Sequence, residues 1–118
     1  MIARTWRGVT ATARADAYAD YLRETGLAAY RATPGNIAAL LLRRALDGDR
    51  TEFVTFTLWE SMTSIRQFAG DEPERAVFYP EDDDYLLERD LAVTHHEVTD
   101  IDMADLGRTD GPDQPLVG

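Results

Sequence analysis

The two histidines of this 118-residue chain are adjacent, at positions 95 and 96, in a β-prone segment. Successive side chains of a strand point to opposite faces of a sheet, so only one of the two can enter a given pocket. We choose His95, which is in step with Val93 and Glu97, and leave the opposite phase open. Histidine titrates near neutral pH and could take a proton from a phenolic substrate, while Arg4 could stabilise the anion. His95 and Arg4 are therefore the candidate catalytic residues.

Large aromatic side chains occur on the predicted strands that would carry such a site. Trp6 shares one face of its strand with Arg4, and Phe53 and Trp59 share one face of another strand. Such rings would supply flat walls for an aromatic ligand, so Trp6, Trp59 and Phe53 are candidate substrate-binding residues. The alternative is that the rings are core and that Arg4 forms an ion pair with Glu97.

Tyr79 and Tyr85 flank an acidic run at 81–84. Either could donate a hydrogen bond at the mouth of a pocket, and we retain Tyr79 as a candidate substrate-binding residue; the alternative is packing within a surface loop. The acidic run lacks the alternating ligands and central glycine of a calcium loop, and two adjacent histidines without a third ligand make a poor zinc site. No dinucleotide-binding motif follows the first strand. We therefore predict neither a metal site nor a cofactor.

Hydrophobic periodicity and turn residues predict the element order β-α-β-β-α-β, which is the ferredoxin-like α+β plan with an antiparallel sheet. In that plan the fourth strand pairs with the first, which would bring His95 across from Arg4 or Trp6. Gly26 is expected to end the first helix, and Ser61 to cap the second. The predicted strands are residues 2–9, 37–46, 51–60 and 91–99; the first helix is 13–25 with a further turn at 27–32, the second follows position 61, and short helices start at 71–73 and after Pro80.

The second and third strands are apolar on both faces. The second carries an unbroken apolar run at 37–42, and the third places Phe56 and Leu58 on the face opposite to Trp59. Helices cover one face of a ferredoxin-like sheet, and each large side chain left exposed on the other would forgo about 1.5–3 kcal/mol of burial. Two sheets packed face to face in a homodimer satisfy both faces. The alternative is that another element, such as the C-terminal tail, covers the second face.

The chain carries a net charge of -10, which disfavours nucleic acid and anionic membrane surfaces as partners. It contains no cysteine, which excludes disulfides and thiol catalysis. No apolar run is long enough to cross a bilayer and the N-terminus does not resemble a signal peptide, so a soluble cytoplasmic protein is expected. The length predicts one domain over residues 1–100, followed by a loosely held acidic tail at 101–118 that contains Gly and Pro.

Five stretches resemble antibiotic biosynthesis monooxygenase domains: "MIARTWRG", "TPGN", "FTLWES", "FAGDEPERAVFYPEDDDYLLERD" and "VTHHEV". The resemblance covers residues 1–99. It implies a dimeric α/β barrel with a pocket between the sheet and the helices of each subunit. Some members of this family oxidise aromatic polyketides with molecular oxygen and no cofactor, and related proteins bind or break down haem or handle quinones.

Carried over to single positions, the resemblance matches Trp59 to a pocket-lining tryptophan of the haem-degrading relatives. Those relatives have an asparagine on the first strand, where this chain has Trp6. They also have an iron-ligating histidine on or after the second helix, whereas residues 61–90 here contain no histidine. These departures argue against haem chemistry.

The resemblance and the residues together predict a cofactor-independent monooxygenase that acts on an aromatic, polyketide-type small molecule. A phenolate or carbanion formed by His95 would react directly with oxygen. A second hypothesis is a non-catalytic dimer that binds a small molecule or haem. A third is an accessory module whose pocket is filled by Trp6, Trp59 and Phe53 themselves.

Overall fold

Five strands form one antiparallel sheet within residues 1–102, the part of the chain that the structure, a computed structural model, describes. They are β1 (Ile2–Ala11), β2 (Asn36–Ala45), β3 (Arg50–Trp59), β4 (Leu86–Arg89) and β5 (Thr94–Glu97). The sheet order is β2-β3-β1-β4, and β5 also pairs with β1. Residues 2–5 of β1 lie opposite β5, and residues 8–10 lie opposite β4. This is the ferredoxin-like arrangement, so the predicted fold class is confirmed.

The first helical region is continuous over positions 12–32, and the prediction that Gly26 ends it is wrong. It consists of a 3-10 turn (Thr12–Arg14), α1 (Ala15–Leu22), a π-turn (Arg23–Leu27) and α2 (Ala28–Ala32). Leu27 and Tyr30 are only 2% and 7% exposed and belong to one apolar cluster with Trp59. This burial stabilises the helical conformation past the glycine, because tertiary packing outweighs local propensity.

The second main helix, α3 (Met62–Ala69), begins where the sequence predicts it. The Oγ of Ser61 accepts a hydrogen bond from the backbone N–H of Ser64 at 3.3 Å, which caps the first turn. The helix ends at Gly70, whose φ of +84° suits glycine. The short helix α4 (Asp82–Tyr85) confirms the helix predicted after Pro80.

The segment between α3 and α4 differs from the prediction. Residues 71–73 form a turn and not a helix. Residues 74–76 run beside residues 91–93, with main-chain hydrogen bonds of 2.8 and 2.9 Å. Because residues 91–93 pair with this segment, the strand predicted at 91–99 is shorter and becomes β5, while β4 precedes it and was not predicted.

The core lies between the helices and one face of the sheet. In one cluster, Trp6 of β1 and Phe53 of β3 pack against Tyr18 of α1. In a second cluster, Trp59 of β3 packs against Tyr30 of α2. The side chains that alternate with these point to the other face of the sheet.

Among residues 1–102, no helix covers the apolar side chains of β2 on that other face. Leu40 and Leu42 of β2 are 42% and 46% exposed, and they pair with Phe56 and Val54 of β3 in the ladder. The sheet therefore has one core face and one exposed face rich in apolar side chains, as the sequence pattern predicts. Most of the tail at 101–118, the alternative cover for this face, lies outside the described residues.

Within residues 1–102, none of the helices has the length and apolar character needed to cross a membrane. The last strand of this part of the chain ends at Glu97. The domain boundary near residue 100 stays a prediction.

Candidate functional site

A narrow cavity lies between the core face of β1, the region α1–α2 and the segment at 76–79 that precedes α4. The cavity has a volume of about 350 Å³ up to its open mouth, but it is so narrow that it has room for about one water molecule. The walls must therefore separate before an aromatic ring can enter. The polar and aromatic side chains of the wall include Arg4, Trp6, Tyr18, Tyr30, Tyr79 and Asp82.

Arg4 brings a buried cation to this cavity. The residue is 2% exposed, and its Nη2 donates to the carbonyl oxygens of Arg75 and Pro73 at 3.1 and 3.5 Å. Its Nε is buried and has no hydrogen-bond partner in residues 1–102, and the predicted alternative, an ion pair with Glu97, does not form there. Burial lowers the pKa of Arg4, and Tyr30 acts in the opposite direction. The guanidinium nevertheless stays charged, because its pKa starts far above neutrality.

His95 pairs with Arg4 in the β1–β5 ladder, and His96 pairs with Ala3. The alternation of the strands therefore puts His95, and not His96, on the face that carries Arg4 and Trp6. The Nε2 of His95 is buried without a hydrogen-bond partner in the described part of the chain. Burial lowers the pKa of His95, and the charge of Arg4 lowers it further. His95 adjoins Arg4 but does not itself line the free space of the cavity.

Trp6 lines the cavity as predicted from its strand face, and its ring is held on several sides. Its Nε1 donates to the carbonyl oxygen of Asp90 at 2.8 Å, and its ring meets Phe78 edge-on at 6.3 Å. A Cβ at Gly8 would lie 2.5 Å from Cη2 of Trp6 and 2.9 Å from Cδ2 of Leu86. Gly8 is therefore the residue that leaves room for the indole.

Tyr79 also lines the cavity. Its backbone N–H donates to Oδ2 of Asp82 at 2.6 Å. Burial raises the pKa of Tyr79; Tyr30 and Asp82 raise it further, and Arg4 lowers it. The charges of both Arg4 and Asp82 therefore act on the phenol of Tyr79.

Trp59 and Phe53 do not line the cavity. Both are 0% exposed. Trp59 donates through Nε1 to Oγ1 of Thr57 at 2.8 Å and meets Tyr30 edge-on, and Phe53 meets Tyr18 edge-on. The geometry does not support the prediction that they bind substrate directly, because each packs against a tyrosine that lines the cavity, Tyr30 or Tyr18, and neither lines it itself.

Four wall residues of the helical region follow one another at intervals of four: Tyr18, Leu22, Gly26 and Tyr30. A π-turn has more residues per turn than an α-helix, so a spacing of four stays on one side of a helix that contains both. The expected helix end at Gly26 separated Tyr30 from Tyr18 and Leu22. The regular spacing of four was the signal that could have joined them into a cavity wall.

Asp82 is the wall residue that sequence reasoning could not have found. It is 3% exposed, whereas its neighbours Asp83 and Asp84 in the same acidic run are exposed. Nothing in the sequence distinguishes the three carboxylates. The orientation of α4 against α1 decides which of them is buried.

No protein-family model and no curated protein sequence matches the chain. Solved structures do match. A candidate antibiotic biosynthesis monooxygenase from Bacillus cereus has a TM-score of 0.59 at 17% identity, with 86% of this chain and 97% of that chain covered. A second candidate from Nitrosomonas europaea has a TM-score of 0.57 at 18% identity, with 84% and 99% covered. A mutant of MhuD with two manganese protoporphyrin IX molecules per active site has a TM-score of 0.52 at 20% identity, with 86% and 99% covered.

The strand order and the cavity between sheet and helices define a ferredoxin-like α+β protein. It shares its fold with structures of the antibiotic biosynthesis monooxygenase type. The resemblance predicted from the sequence is thus confirmed for the fold.

The residues of this cavity do not fit the metalloporphyrin of the MhuD neighbour. In the described part of the chain the cavity wall contains no histidine, and residues 61–90 contain none either. Among residues 1–102, no group of three or more His, Cys, Asp or Glu side chains is placed to hold a metal ion. No step of the chemistry below passes through a haem.

Proposed function

We propose that this protein binds a small aromatic molecule with an acidic hydroxyl or enol group in the cavity, and oxidises it with molecular oxygen without a cofactor. The observation that carries this proposal is Arg4, a buried guanidinium with an unpartnered Nε and no carboxylate partner among the described residues. An uncompensated buried charge costs several kcal/mol. A phenolate or enolate oxygen of the ligand supplies the missing negative charge.

His95 is the base in this proposal. Its unpartnered Nε2 is available to exchange a proton, and its lowered pKa keeps the ring neutral at neutral pH. A neutral imidazole next to a fixed cation can take a proton from the ligand while the cation stabilises the oxyanion that forms.

The reaction balances with molecular oxygen as the co-reactant. His95 takes a proton from an activated ring methylene, and the resulting carbanion is stabilised as an enolate next to Arg4. The carbanion gives its electron pair to oxygen, which forms a carbon–oxygen bond, and the peroxide takes the proton back from His95. Loss of water leaves a ketone, so that one methylene and one oxygen molecule become one carbonyl and one water.

Binding requires the cavity to widen. The segment at 76–79 forms one wall, and Nη2 of Arg4 reaches the carbonyl oxygen of Arg75 next to it. A ligand anion on Arg4 competes with this carbonyl contact. Displacement of the segment is therefore coupled to binding in this proposal.

The proposed assembly is a homodimer through the uncovered sheet face. The support is the pair of half-exposed leucines, Leu40 and Leu42, beside Val54 and Phe56. Exposed apolar patches of this kind mark interaction surfaces. A second copy buries them by two-fold symmetry.

A second candidate function is binding without turnover. The observation that favours it is that His95 adjoins Arg4 without lining the free space of the cavity. A non-catalytic binding protein needs Arg4 and the aromatic walls but no base.

Oxygen uptake with an anthrone separates the two candidates. We expect His95→Ala to slow uptake by about 10²–10⁴-fold, the usual contribution of a positioned base. His96→Ala is the matched control, since His96 is exposed and lies on the other face. Equal rates for wild type and His95→Ala would remove His95 from the mechanism. Anthrone binding without uptake above the buffer rate would leave the second candidate.

A further inference from the structure

Gly26 lies on the wall of the cavity and inside a helical region, where glycine is unfavourable. It belongs to the π-turn Arg23–Leu27, and it is buried. Glycine in a helix interior is less stable than alanine, because it loses more backbone freedom on folding. A glycine at this position therefore calls for an explanation. Its backbone conformation, the packing around it or a molecule that approaches it closely could each supply one.

The backbone conformation does not require this glycine. Within residues 1–102, the glycines with positive φ are Gly35 and Gly70, so Gly26 lies outside the left-handed region that favours glycine. The residues that flank the π-turn have helical φ values of −63° and −62°. An alanine can adopt such a conformation without strain.

The packing of the chain does not require it either. A Cβ at Gly26 would lie 3.9 Å from Cε2 of Tyr30, 3.9 Å from Cε2 of Tyr79 and 4.0 Å from Cδ2 of Leu22. These are ordinary van der Waals distances between carbon atoms, so a methyl group fits there without displacing a neighbour. The close approach of a ligand to the helix backbone is the explanation that is left.

The same three distances define a slot, the space over Gly26 that is bounded by Leu22, Tyr30 and Tyr79. A carbon atom in this space touches all three side chains at contact distance, so the slot holds one layer of carbon atoms. An aromatic ring is one such layer, because its carbons pack against neighbouring carbons at about 3.5–4.0 Å. A puckered, saturated ring is thicker and does not fit.

We propose that Gly26 is the specificity-determining residue of the cavity, because its missing side chain leaves this slot to a flat ring of the ligand. Arg4 belongs to the sheet and Gly26 to the helical region, so the two residues contribute to the cavity from opposite layers. Tyr30 joins these layers along one wall, since its hydroxyl lies 3.4 Å from Oγ1 of Thr55 on β3.

This inference rests on the proposed function and narrows its substrate class. The hydroxyl or enol oxygen of the ligand meets Arg4 on the sheet side, and a fused aromatic ring enters the slot on the helix side. The ligand is therefore a flat system of at least two fused rings, with no saturated ring at the end that reaches Gly26.

Two phenols that differ in one ring test this assignment: 2-naphthol and 5,6,7,8-tetrahydro-2-naphthol, titrated by isothermal calorimetry. Both carry the hydroxyl for Arg4 on an aromatic ring. The second ring is flat in 2-naphthol and puckered in the tetrahydro compound. We expect wild type to bind 2-naphthol about 10-fold or more tightly, the usual discrimination of an apolar pocket against one group that does not fit.

Gly26→Ala should abolish this preference. The new methyl group takes the place of the flat ring, so the affinity for 2-naphthol should fall about 10-fold or more, while that for the tetrahydro compound changes little. Without ligand, the variant should melt at the same temperature as wild type or higher, because alanine favours the helix and its methyl group meets no atom closer than 3.9 Å. Damage to the fold would not combine weaker binding with undiminished stability.

Glu24→Ala is the matched control, because Glu24 is an exposed residue of the same π-turn and does not line the cavity. This variant also favours the helix but adds nothing to the slot, so it should keep the wild-type ratio of affinities. A ratio that falls equally in Glu24→Ala would overturn the assignment, since the effect would then come from the stiffness of the turn.

The other outcomes separate this inference from the proposed function. Equal affinities of wild type for the two phenols, or a preference that survives in Gly26→Ala, would overturn the slot and leave the proposed function standing. A lower melting temperature of Gly26→Ala would also overturn the slot, because the fold itself would then require the glycine. Failure of wild type to bind either phenol would overturn both.

Discussion

His95 and Arg4, which lie near opposite ends of the described chain, face each other across the β1–β5 ladder. Arg4 is buried, and the Nε2 of His95 is buried and unpartnered. A neutral base thus lies beside a cation with no carboxylate partner in residues 1–102.

Acidification should protonate His95 only at a pH below the ordinary histidine value of 6.5, because burial and then Arg4 lower its pKa. The unfolded chain binds this proton more readily, so the contribution of neutral His95 to stability is complete above pH 6.5 and decreases as the pH falls below it. Arg4→Gln should move the pKa of His95 upward. Proton NMR titration measures this directly, with His95→Ala to assign the resonance. An unchanged pKa in Arg4→Gln would show that Arg4 does not act on His95.

Arg4→Met should abolish binding of phenolic ligands and leave the fold intact. Methionine removes a buried cation together with its hydrogen bonds to the carbonyl oxygens of Pro73 and Arg75, and its long side chain can keep the contact that the guanidinium makes with the ring of Phe68. We therefore expect a change in unfolding free energy within about 1 kcal/mol. Chemical denaturation and ligand titration measure the two effects, with Arg66→Met on the exposed side of α3 as the control. Loss of several kcal/mol in Arg4→Met would assign Arg4 a structural role.

Gly8→Ala should destabilise the protein by about 1–3 kcal/mol, the usual cost of overpacking. The new methyl group would lie 2.5 Å from the indole of Trp6, which must move. Thermal unfolding measures the loss, and a change in tryptophan fluorescence reports the displaced ring. Gly48→Ala is the control, because a Cβ at Gly48 meets nothing within 4 Å. Equal stability of the two variants would contradict the packing described for Trp6.

Glu52→Gln should destabilise the sheet at neutral pH and have little effect in strong acid. Glu52 is 6% exposed and receives hydrogen bonds from Arg44 and Arg7, which lower its pKa to about 2. The contribution of the carboxylate is present above the ordinary value of 4.5 and is lost as the pH falls toward 2. Because the arginines are partly exposed, we expect about 1 kcal/mol. Thermal unfolding of wild type and Glu52→Gln at pH 7 and at acid pH tests this. A difference in stability that is the same at both pH values would contradict a contribution from the charge of Glu52.

Leu42→Glu should convert the proposed dimer into a monomer. A charge at Leu42, on the edge strand β2 of the uncovered face, cannot be buried against a second copy without a large desolvation cost. Sedimentation velocity measures the mass. Leu91→Glu is the control, since Leu91 is 72% exposed and lies beside Arg75, Ala76 and Phe78. A wild-type protein that sediments as a monomer at high concentration would refute the assembly.

Much of the site could be predicted because strands alternate. Arg4 and Trp6 share the core face of β1 as the pattern indicates, and Tyr79 reaches the cavity wall. The same alternation put Trp59 and Phe53 on the core face of β3, but it could not show that both are fully buried and that tyrosines of the helical region line the cavity instead. The alternation of side chains along a strand predicts the face of the sheet on which a residue lies. It does not predict how deeply that residue is buried in the core.

The order of the elements, the cap at Ser61 and the apolar character of both sheet faces were determined by the sequence alone, since each depends on side chains close together in the chain. The tertiary structure alone decided which of two histidines pairs with Arg4, that the helix continues past Gly26, and that Asp82 is buried and Asp83 is not. These outcomes depend on the register of distant strands and the packing of one helix on another. No local pattern encodes them, because the free energies that decide them arise from contacts between residues far apart in the chain.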